Sequence, residues 1–455
     1  MSNRQKLAGS FRDPDGFLFT EDDKIFRQVN LGYKVDYDLL MSGLYGDLVE
    51  AGLLIPHSES DKNGSKEAYK VIQPKKIGFI SYPYEWSFSQ YKDAALTTLE
   101  IQRRALNYGM SLKDASAYNI QFHQGLPIFI DTLSFEKYKE GKPWQAYKQF
   151  CQHFLAPLAL MAHIDADISK LMRVYIDGIP LPLASQLLPS KTKASSLLAH
   201  IHLHARSQQK YADKGGKAKD VTVSKQAQLG IVSSLAKAVK KLEWNPAGTE
   251  WGDYYSFTNY SGKSFKQKQK LVKEIILKTK PKTVWDIGAN DGSFSRLASD
   301  SGINTVAFDI DPIAVEKNYR QVKKTSEKNI LPLVMDLTNP SPSLGWANSE
   351  RQSMTERGPA DTVLALALIH HLAISNNLPL DSVTEFLAEI GQNIVIEFVP
   401  KEDSQVQKLL TSRKDVFDNY NQKEFESAIS TRFKVLSKEH IKGSKRTLYL
   451  LTREP

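Results

Sequence analysis

The sequence predicts an α/β fold with a parallel sheet in the C-terminal half of the chain, and a separate α+β domain ahead of it. Three observations carry that prediction. At 455 residues the chain is longer than one ordinary core organises. Beyond residue 245, short apolar runs alternate with helix-compatible segments, the pattern of strands joined by crossover helices. An apolar run, Thr283-Val284-Trp285-Asp286-Ile287, also enters an acidic, glycine-spaced turn, Gly288-Ala289-Asn290-Asp291-Gly292, ahead of a helical segment. The pattern places domains at 1–210 and 246–455. Between them, 211–245 reads as a basic linker, polar and glycine-containing over Tyr211–Asp220, followed by a connecting helix over Gln226–Leu242.

In the C-terminal domain strands are expected at Thr283–Ile287, Thr305–Asp309, Leu331–Asp336, Asp361–Leu368, Asn393–Val399, Phe433–Ser437 and Arg446–Thr452. Helices at Ser293–Ser299, Pro312–Lys324 and Ser382–Ile390 fall between the first five, and a helix at Gln422–Ser430 precedes the last two. No helical run separates those last two strands, so they should pair as a hairpin. The result is a Rossmann-like sheet of seven strands. Thr338–Gly358, with Pro340, Pro342 and Trp346, reads as a loop over the active site. In the N-terminal domain, Phe11–Phe19 reads as two strands around a Pro14-Asp15-Gly16 turn, and Ile77–Tyr82 as a strand. Helices are expected at Tyr37–Ala51, Tyr91–Asn107, Trp144–Ala162 and Leu197–Arg206.

Strand, glycine turn and helix in that order cradle a nucleotide-like ligand, because glycine lets the backbone approach closely and the helix end offers free N–H groups. Asp309 and Asp336 each end the next strands in turn. Together these residues resemble the class I S-adenosylmethionine-dependent methyltransferases. That family has an acidic residue, a Gly-x-Gly-x-Gly turn and an acidic residue closing the second strand. Here Asn290 stands for the middle glycine, and Asn tolerates left-handed backbone angles. The resemblance implies S-adenosyl-L-methionine as cofactor and assigns the contacts. Asp286 lies toward the methionine ammonium, Gly288, Asn290 and Gly292 keep the turn low, Asp309 accepts from both ribose hydroxyls, and Asp336 accepts from the adenine amino group. It also implies an acceptor site beyond the fourth and fifth strands, where His370, His371 and Glu397 are the candidate catalytic groups. The sequence lacks the Asn-Pro-Pro-Tyr motif of amino-group methyltransferases, and Glu397 is not followed by a Glu-x-x-His metal set. Both absences lean toward an oxygen acceptor and against a metal.

Asp114, Asn119 and Asp131 have the order and spacing of a protein-kinase-like catalytic core. In that core an Asp orients the attacking hydroxyl, while an Asn and a second Asp hold Mg²⁺ on the phosphates. The region resembles the aminoglycoside-phosphotransferase branch in diverged form. Leu112-Lys113-Asp114 stands where the family has His-Arg-Asp, and Asp131-Thr132-Leu133 where it has Asp-Phe-Gly. No glycine-rich phosphate loop precedes it, and Lys70 is the nearest candidate for the ATP lysine. The resemblance implies Mg-ATP as a second cofactor only if this domain is active. Coupled to a methyltransferase, it resembles the bacterial nodulation-type methyltransferases, on Leu112–Asn119, Phe129–Glu136 and Trp251–Tyr255. That match points toward glycan modification.

The chain is 41% hydrophobic and 24% charged, which suits a globular protein rather than a disordered one. No apolar run reaches membrane-span length, no signal-peptide core follows Met1, and Cys151 is the single cysteine. A cytoplasmic protein is expected. The net charge is +9, with basic clusters at Arg206–Lys225, Lys237–Lys241 and Lys263–Lys273. They are rich in Lys and poor in interleaved aromatics, so they read as solvated linker and outer helix faces rather than an RNA surface. A glycan or small molecule is therefore favoured over RNA as the methyl acceptor. The oligomeric state is not legible.

Overall fold

The computed structural model describes residues 4–206, 222–245, 262–411 and 415–454. The chain forms two compact units, Met1–Asn245 with Ser343–Arg351, and Pro246–Pro342 with Gln352–Pro455. The expected joint at Tyr211–Asp220 and the aromatic stretch Trp251–Tyr255 lie outside the described residues.

The first unit opens with a five-stranded antiparallel sheet. Its strands are β1 (Gln5–Lys6), β2 (Gly16–Glu21), β3 (Lys24–Asn30), β4 (His57–Ser60) and β5 (Ala68–Pro74), in the order β1-β2-β3-β5-β4. The expected Pro14-Asp15-Gly16 hairpin turn is displaced. The turn joining β2 and β3 is Asp22-Asp23, both at positive φ, and Phe11 lies outside any strand and 54% exposed. Gly16 is instead packed within β2, where an added Cβ would meet the Gln28 carbonyl. A helical run Lys34–Glu50 fills the gap between β3 and β4, with π-turn geometry around Gly43.

Ile77–Tyr82 is not a strand. Its backbone at Ser81 is satisfied by the Gln121 side chain, whose Oε1 accepts from Ser81 N at 2.8 Å and whose Nε2 donates to Ser81 O at 2.9 Å. A side-chain amide thus supplies what a neighbouring strand would. The helix Phe88–Asn107 follows, started by a Ser87–Gln90 capping box. Two small antiparallel pairs come next. β6 (Met110–Leu112) pairs with β9 (Phe135–Lys137), and β7 (Ile120–His123) pairs with β8 (Leu126–Phe129). Lys225–Lys241 is a helix, but not a free connector. Lys92 Nζ, on the long helix, donates to the carbonyls of Lys240 and Leu242 at 2.9 and 2.7 Å, and His200 Nε2 lies 2.9 Å from Ser234 Oγ. It is packed into the first unit because Val232, Leu235 and Val239 form an apolar stripe.

The expected loop Thr338–Gly358 is irregular, with short helical turns at Trp346–Asn348 and Thr355–Arg357. Its Ser343–Arg351 part belongs with the first unit, where Glu350 pairs with Arg12 at 2.6 Å and the Arg351 guanidinium lies 4.4 Å from the Tyr118 ring centre. An ion pair and a cation–π contact hold it there.

Among the described residues the second unit contains one sheet: β10 (Thr283–Ile287), β11 (Asn304–Asp309), β12 (Ile330–Val334), β13 (Ala360–Ala365), β14 (Gly391–Phe398), β15 (Phe433–His440) and β16 (Thr447–Arg453). The order is β12-β11-β10-β13-β14-β16-β15. The first five are parallel, while β16 runs antiparallel between β14 and β15. Pro332, which lacks an amide hydrogen, sits in the edge strand β12. β13 ends three residues earlier than expected, because Ala367 takes a positive φ of 52° and turns the chain toward His370. The helix Gly262–Thr279 covers the core through Val272, Ile275 and Ile276, against Val284, Leu364 and Val395.

Candidate functional site

The order β11-β10-β13 brings the carboxyl ends of three parallel strands together, the place where open α/β sheets bind ligands. The turn after β10 starts at Gly288, with φ +77°, and passes Asn290 (+51°) and Gly292 (+82°). The glycines are required twice over. They sit in left-handed backbone, and a Cβ at Gly292 would fall 2.5 Å from Asn318 Nδ2 and 2.6 Å from Arg296 Nη1. Asn290 adopts the left-handed angle in place of the middle glycine, and its own Oδ1 accepts from Asp291 N at 2.9 Å.

Asp309 ends β11 and is 8% exposed. Its Oδ2 accepts from Asn290 N at 2.7 Å and its Oδ1 from Asp311 N at 2.9 Å. These bonds, with the backbone of Ile310, fix the carboxylate beside the turn. Burial pushes its pKa up to about 6. Asp286, 1% exposed, accepts from Ser295 Oγ at 2.6 Å, and burial pushes its pKa up to about 7. Ile310, next to Asp309, leaves an apolar side chain 54% exposed. Asp336 is placed differently. It lies past the end of β12, and its Oδ1 caps the following turn by accepting from Thr338 N at 2.8 Å and Thr338 Oγ1 at 2.7 Å.

His370 is 1% exposed, and among the described residues neither ring nitrogen has a hydrogen-bond partner. Its ring centre lies 4.1 Å from that of His371. Burial, then the neighbouring His371, Arg446 and Lys268, push its pKa well below the usual histidine value. Glu397, a candidate catalytic group in the sequence, lies near the end of β14. It is fully buried, with Oε2 2.6 Å from Lys268 Nζ and Oε1 3.5 Å from Arg446 Nη1. Asp403 completes the chain of charges, with Oδ2 2.7 Å from Arg446 Nε.

Sequence reasoning missed Lys268. It belongs to the basic run Lys263–Lys273, read as a solvated face, yet its side chain is 3% exposed while Lys263, Lys266, Lys270 and Lys273 face solvent. The signal was its position. Phe265, Lys268, Val272 and Ile275 recur at helical spacing, so Lys268 interrupts the apolar stripe itself. Asp403 and Arg446 carried no local motif.

In the first unit the strand pairings bring Asp114, Asn119 and Asp131 together. Asn119 Nδ2 donates to Ser134 Oγ at 3.2 Å, and Ser134 Oγ donates to Asp131 Oδ2 at 2.5 Å. Asp114 accepts from Gln149 Nε2 at 2.8 Å and from Asn119, and its pKa is raised by burial and then by the Asp131 charge. The Arg27 guanidinium, from β3, pairs with Asp131 at 2.8 Å and Asp13 at 2.5 Å, and Lys113 pairs with Asp15. Among the described residues Lys70 pairs with neither Asp114 nor Asp131, and it lies on the strand beside that of Arg27, opposite Val29. It sits on β5 and pairs with Glu59 at 2.6 Å, half in solvent.

No family model matches the chain. Over 459 aligned residues it is 36% identical to nodulation protein NoeA of Rhizobium meliloti (strain 1021), spanning 98% of this chain and 96% of that protein. The chain belongs to the NoeA family. Among solved structures, this NoeA-family chain is similar to the magnesium protoporphyrin IX methyltransferase ChlM from Synechocystis PCC 6803, at 14% identity over 42% of this chain and 84% of that one, TM-score 0.31. It is also similar to the N-methyltransferase NodS from Bradyrhizobium japonicum WM9, at 8% identity over 43% and 99%, TM-score 0.31. A third is the bifunctional kinase-methyltransferase WbdD, at 15% identity over 41% and 39%, TM-score 0.29. The chain's own strand order, five parallel strands with the last strand inserted antiparallel, is that of the class I methyltransferases. Among the described residues no helix is long and apolar enough to cross a membrane.

Proposed function

We propose that the second unit binds S-adenosylmethionine at the turn after β10 and transfers its methyl group to a hydroxyl of a glycan or small molecule. The observation that carries this is the Asp309 carboxylate, fixed by Asn290 N–H and Asp311 N–H beside a turn held in left-handed backbone at Gly288 and too tight for a side chain at Gly292. Asp286 supplies negative charge at the other end of the turn, Ile310 an apolar surface. These residues fit a ligand with a ribose diol, an ammonium and a flat ring, and no phosphate. When bound, S-adenosylmethionine supplies an electrophilic methyl group on a cationic sulfur. The chain's part is to position the acceptor and remove its proton. His370 is the group for that: it is held neutral, and both ring nitrogens lack partners among the described residues. It is a weak base, but the hydroxyl proton becomes acidic as its oxygen is methylated, so a weak base suffices. Calorimetric titration with S-adenosylhomocysteine tests the cofactor, and absence of binding by folded protein would overturn the proposal. Transfer of labelled methyl to oligosaccharides but not to RNA tests the acceptor.

A pH dependence follows. Both Asp309 and Asp286 have pKa values raised from 3.8, to about 6 and about 7, so the unliganded site is mostly protonated at pH 5. Their contribution to the stability of the unliganded unit is therefore full below about pH 4 and is lost as pH rises through 6 and 7. The ligand needs both carboxylates ionised, so its affinity moves the other way. S-adenosylhomocysteine should bind at least about tenfold tighter at pH 7.5 than at pH 5, with protons released on binding. Equal or tighter binding at pH 5 would remove the carboxylates from the site.

A second reading concerns the first unit, because its strand pairings assemble Asp114, Asn119 and Asp131 as a kinase-like core does. We infer that this core does not use Mg-ATP. The Arg27 guanidinium already neutralises Asp131, the carboxylate a metal would need. No heat is expected on titrating Mg-ATP into the protein. Binding that Asp131→Ala abolishes would instead establish the kinase–methyltransferase alternative.

A further inference from the structure

The geometry points to an oxyanion-binding cavity in the first unit, formed by Gln186, Ser190, Lys193 and Arg206 beside the buried His202, that takes a phosphate monoester on a small organic body such as a sugar. The inference stands apart from the methyl-transfer reading and uses none of its residues.

Three consecutive elements supply the lining. The helix Leu181–Leu187 brings Ser185 and Gln186, and the short 3₁₀ turn Ser190–Ala194 brings Ser190 and Lys193. The helical run that begins at Leu198 brings His202 and, at its end, Arg206. Together they enclose a cavity of about 290 Å³. His202, 1% exposed, ties the three elements to one another. Its Nδ1 lies 2.8 Å from Ser185 Oγ and its Nε2 2.9 Å from Thr192 Oγ1. Thr192 Oγ1 donates its one hydrogen to Pro189 O at 2.6 Å, so it accepts from Nε2–H, and Nδ1 of the neutral ring accepts from Ser185. The backbone that carries Lys193 and Arg206 is thereby held in place, while their side chains stay exposed.

Charge is what marks the cavity. Elsewhere in this unit Arg27 has Asp13 and Asp131, Arg104 has Asp47 and Glu100, and Lys113 has Asp15. Here the lining holds no carboxylate, and among the described residues neither Lys193 nor Arg206 forms an ion pair. Two like charges gathered at one concavity repel, and an anion between them removes that repulsion while accepting charge-assisted hydrogen bonds. Ser190 adds a hydroxyl donor and Gln186 two amide donors, also unengaged among the described residues. A lysine point charge beside a planar guanidinium fork suits a phosphate, and two cations match the charge of a phosphate monoester better than that of a carboxylate. The cavity is larger than one tetrahedral ion fills, and Pro182, Leu188 and Ala205 give it an apolar wall, so the ligand carries an organic body as well.

The experiment is calorimetric titration of the full chain, at low salt and about pH 7.5, with glucose 6-phosphate, inorganic phosphate, glucuronate and glucose. Glucose 6-phosphate should bind with a dissociation constant of about 1 mM or below, more tightly than inorganic phosphate or glucuronate, and glucose should not bind. Lys193→Gln and Arg206→Gln should each weaken it roughly tenfold, and the double variant should abolish it. Lys191→Gln is the control. It removes the same charge from the same turn at a side chain outside the cavity, and should leave the affinity within about twofold of the wild type. All three side chains are exposed, so the variants should fold as the wild type does. No binding of glucose 6-phosphate by the folded wild type overturns the inference, as does an equal loss in Lys191→Gln, which would mark attraction to the basic surface at large. Inorganic phosphate or glucuronate binding as tightly as glucose 6-phosphate overturns the assignment to a phosphate monoester on an organic body.

Discussion

Replacing Glu397 by alanine should destabilise the second unit by about 3–5 kcal/mol, the usual cost of stranding buried charge. The side chain is fully buried and faces Lys268 on one oxygen and Arg446 on the other. Arg446 retains Asp403, but the Lys268 ammonium, 3% exposed, loses the partner that offsets its desolvation. Part of the loss comes from the cavity left beside Leu448, which faces Glu397 across the β14–β16 pair, and part from the lost ion pair. A double variant separates them. Lys268→Met with Glu397→Leu removes both charges and fills the volume, and should recover most of the lost stability. The measurement is denaturant unfolding followed by hydrogen exchange at β14 and β16, which isolates this unit from the other. A loss below about 1 kcal/mol in Glu397→Ala would mean that the cluster is solvated in a way the geometry does not show.

That cluster marks the boundary of what the sequence could say. The turn was legible because its requirements are local. Positive φ at three positions within five residues favours Gly and Asn, and the carboxylates of Asp286 and Asp309 sit at or near the ends of neighbouring parallel strands. Strand alternation was legible for the same reason, since the apolar runs of β10, β11 and β14 are buried on both faces. The partners of Glu397 were not legible. They come from residues 129 and 49 positions away, one in a lysine-rich run that composition assigns to solvent. The position of Lys268 in the apolar stripe carried the information, and the charge of its neighbours masked it. In the first unit, Ile77–Tyr82 reads as a strand from composition, but a strand also needs an edge to pair with, and Gln121 had already taken that place. The displaced turn near Gly16 failed likewise. Pro-Asp-Gly is a turn signal, yet Asp22-Asp23 adopt the required angles six residues later, where the strand pairing needs them.

Asp309→Ala should weaken S-adenosylhomocysteine binding by at least about 100-fold, roughly 3 kcal/mol, the largest effect expected of any single change at the turn. Two losses combine. The ribose hydroxyls lose a bidentate acceptor, and the buried N–H groups of Asn290 and Asp311 lose theirs, so the turn itself loosens. Asp309→Asn distinguishes the two. An amide of the same shape keeps one oxygen but points an NH₂ group at one of those backbone donors, so it should recover only part of the binding. Asp336→Ala provides the contrast. Its Oδ1 is committed to Thr338, and it stands beyond the strand end, so its removal should cost less than about tenfold. The order of effects, Asp309 far above Asp336, is the content of the prediction, and calorimetry at pH 7.5, where both groups near the turn are largely ionised, measures it. Equal losses for the two alanine variants would mean that the ligand lies along β12 rather than across the β10–β11 turn. Wild-type affinity in Asp309→Ala would remove the ribose assignment altogether.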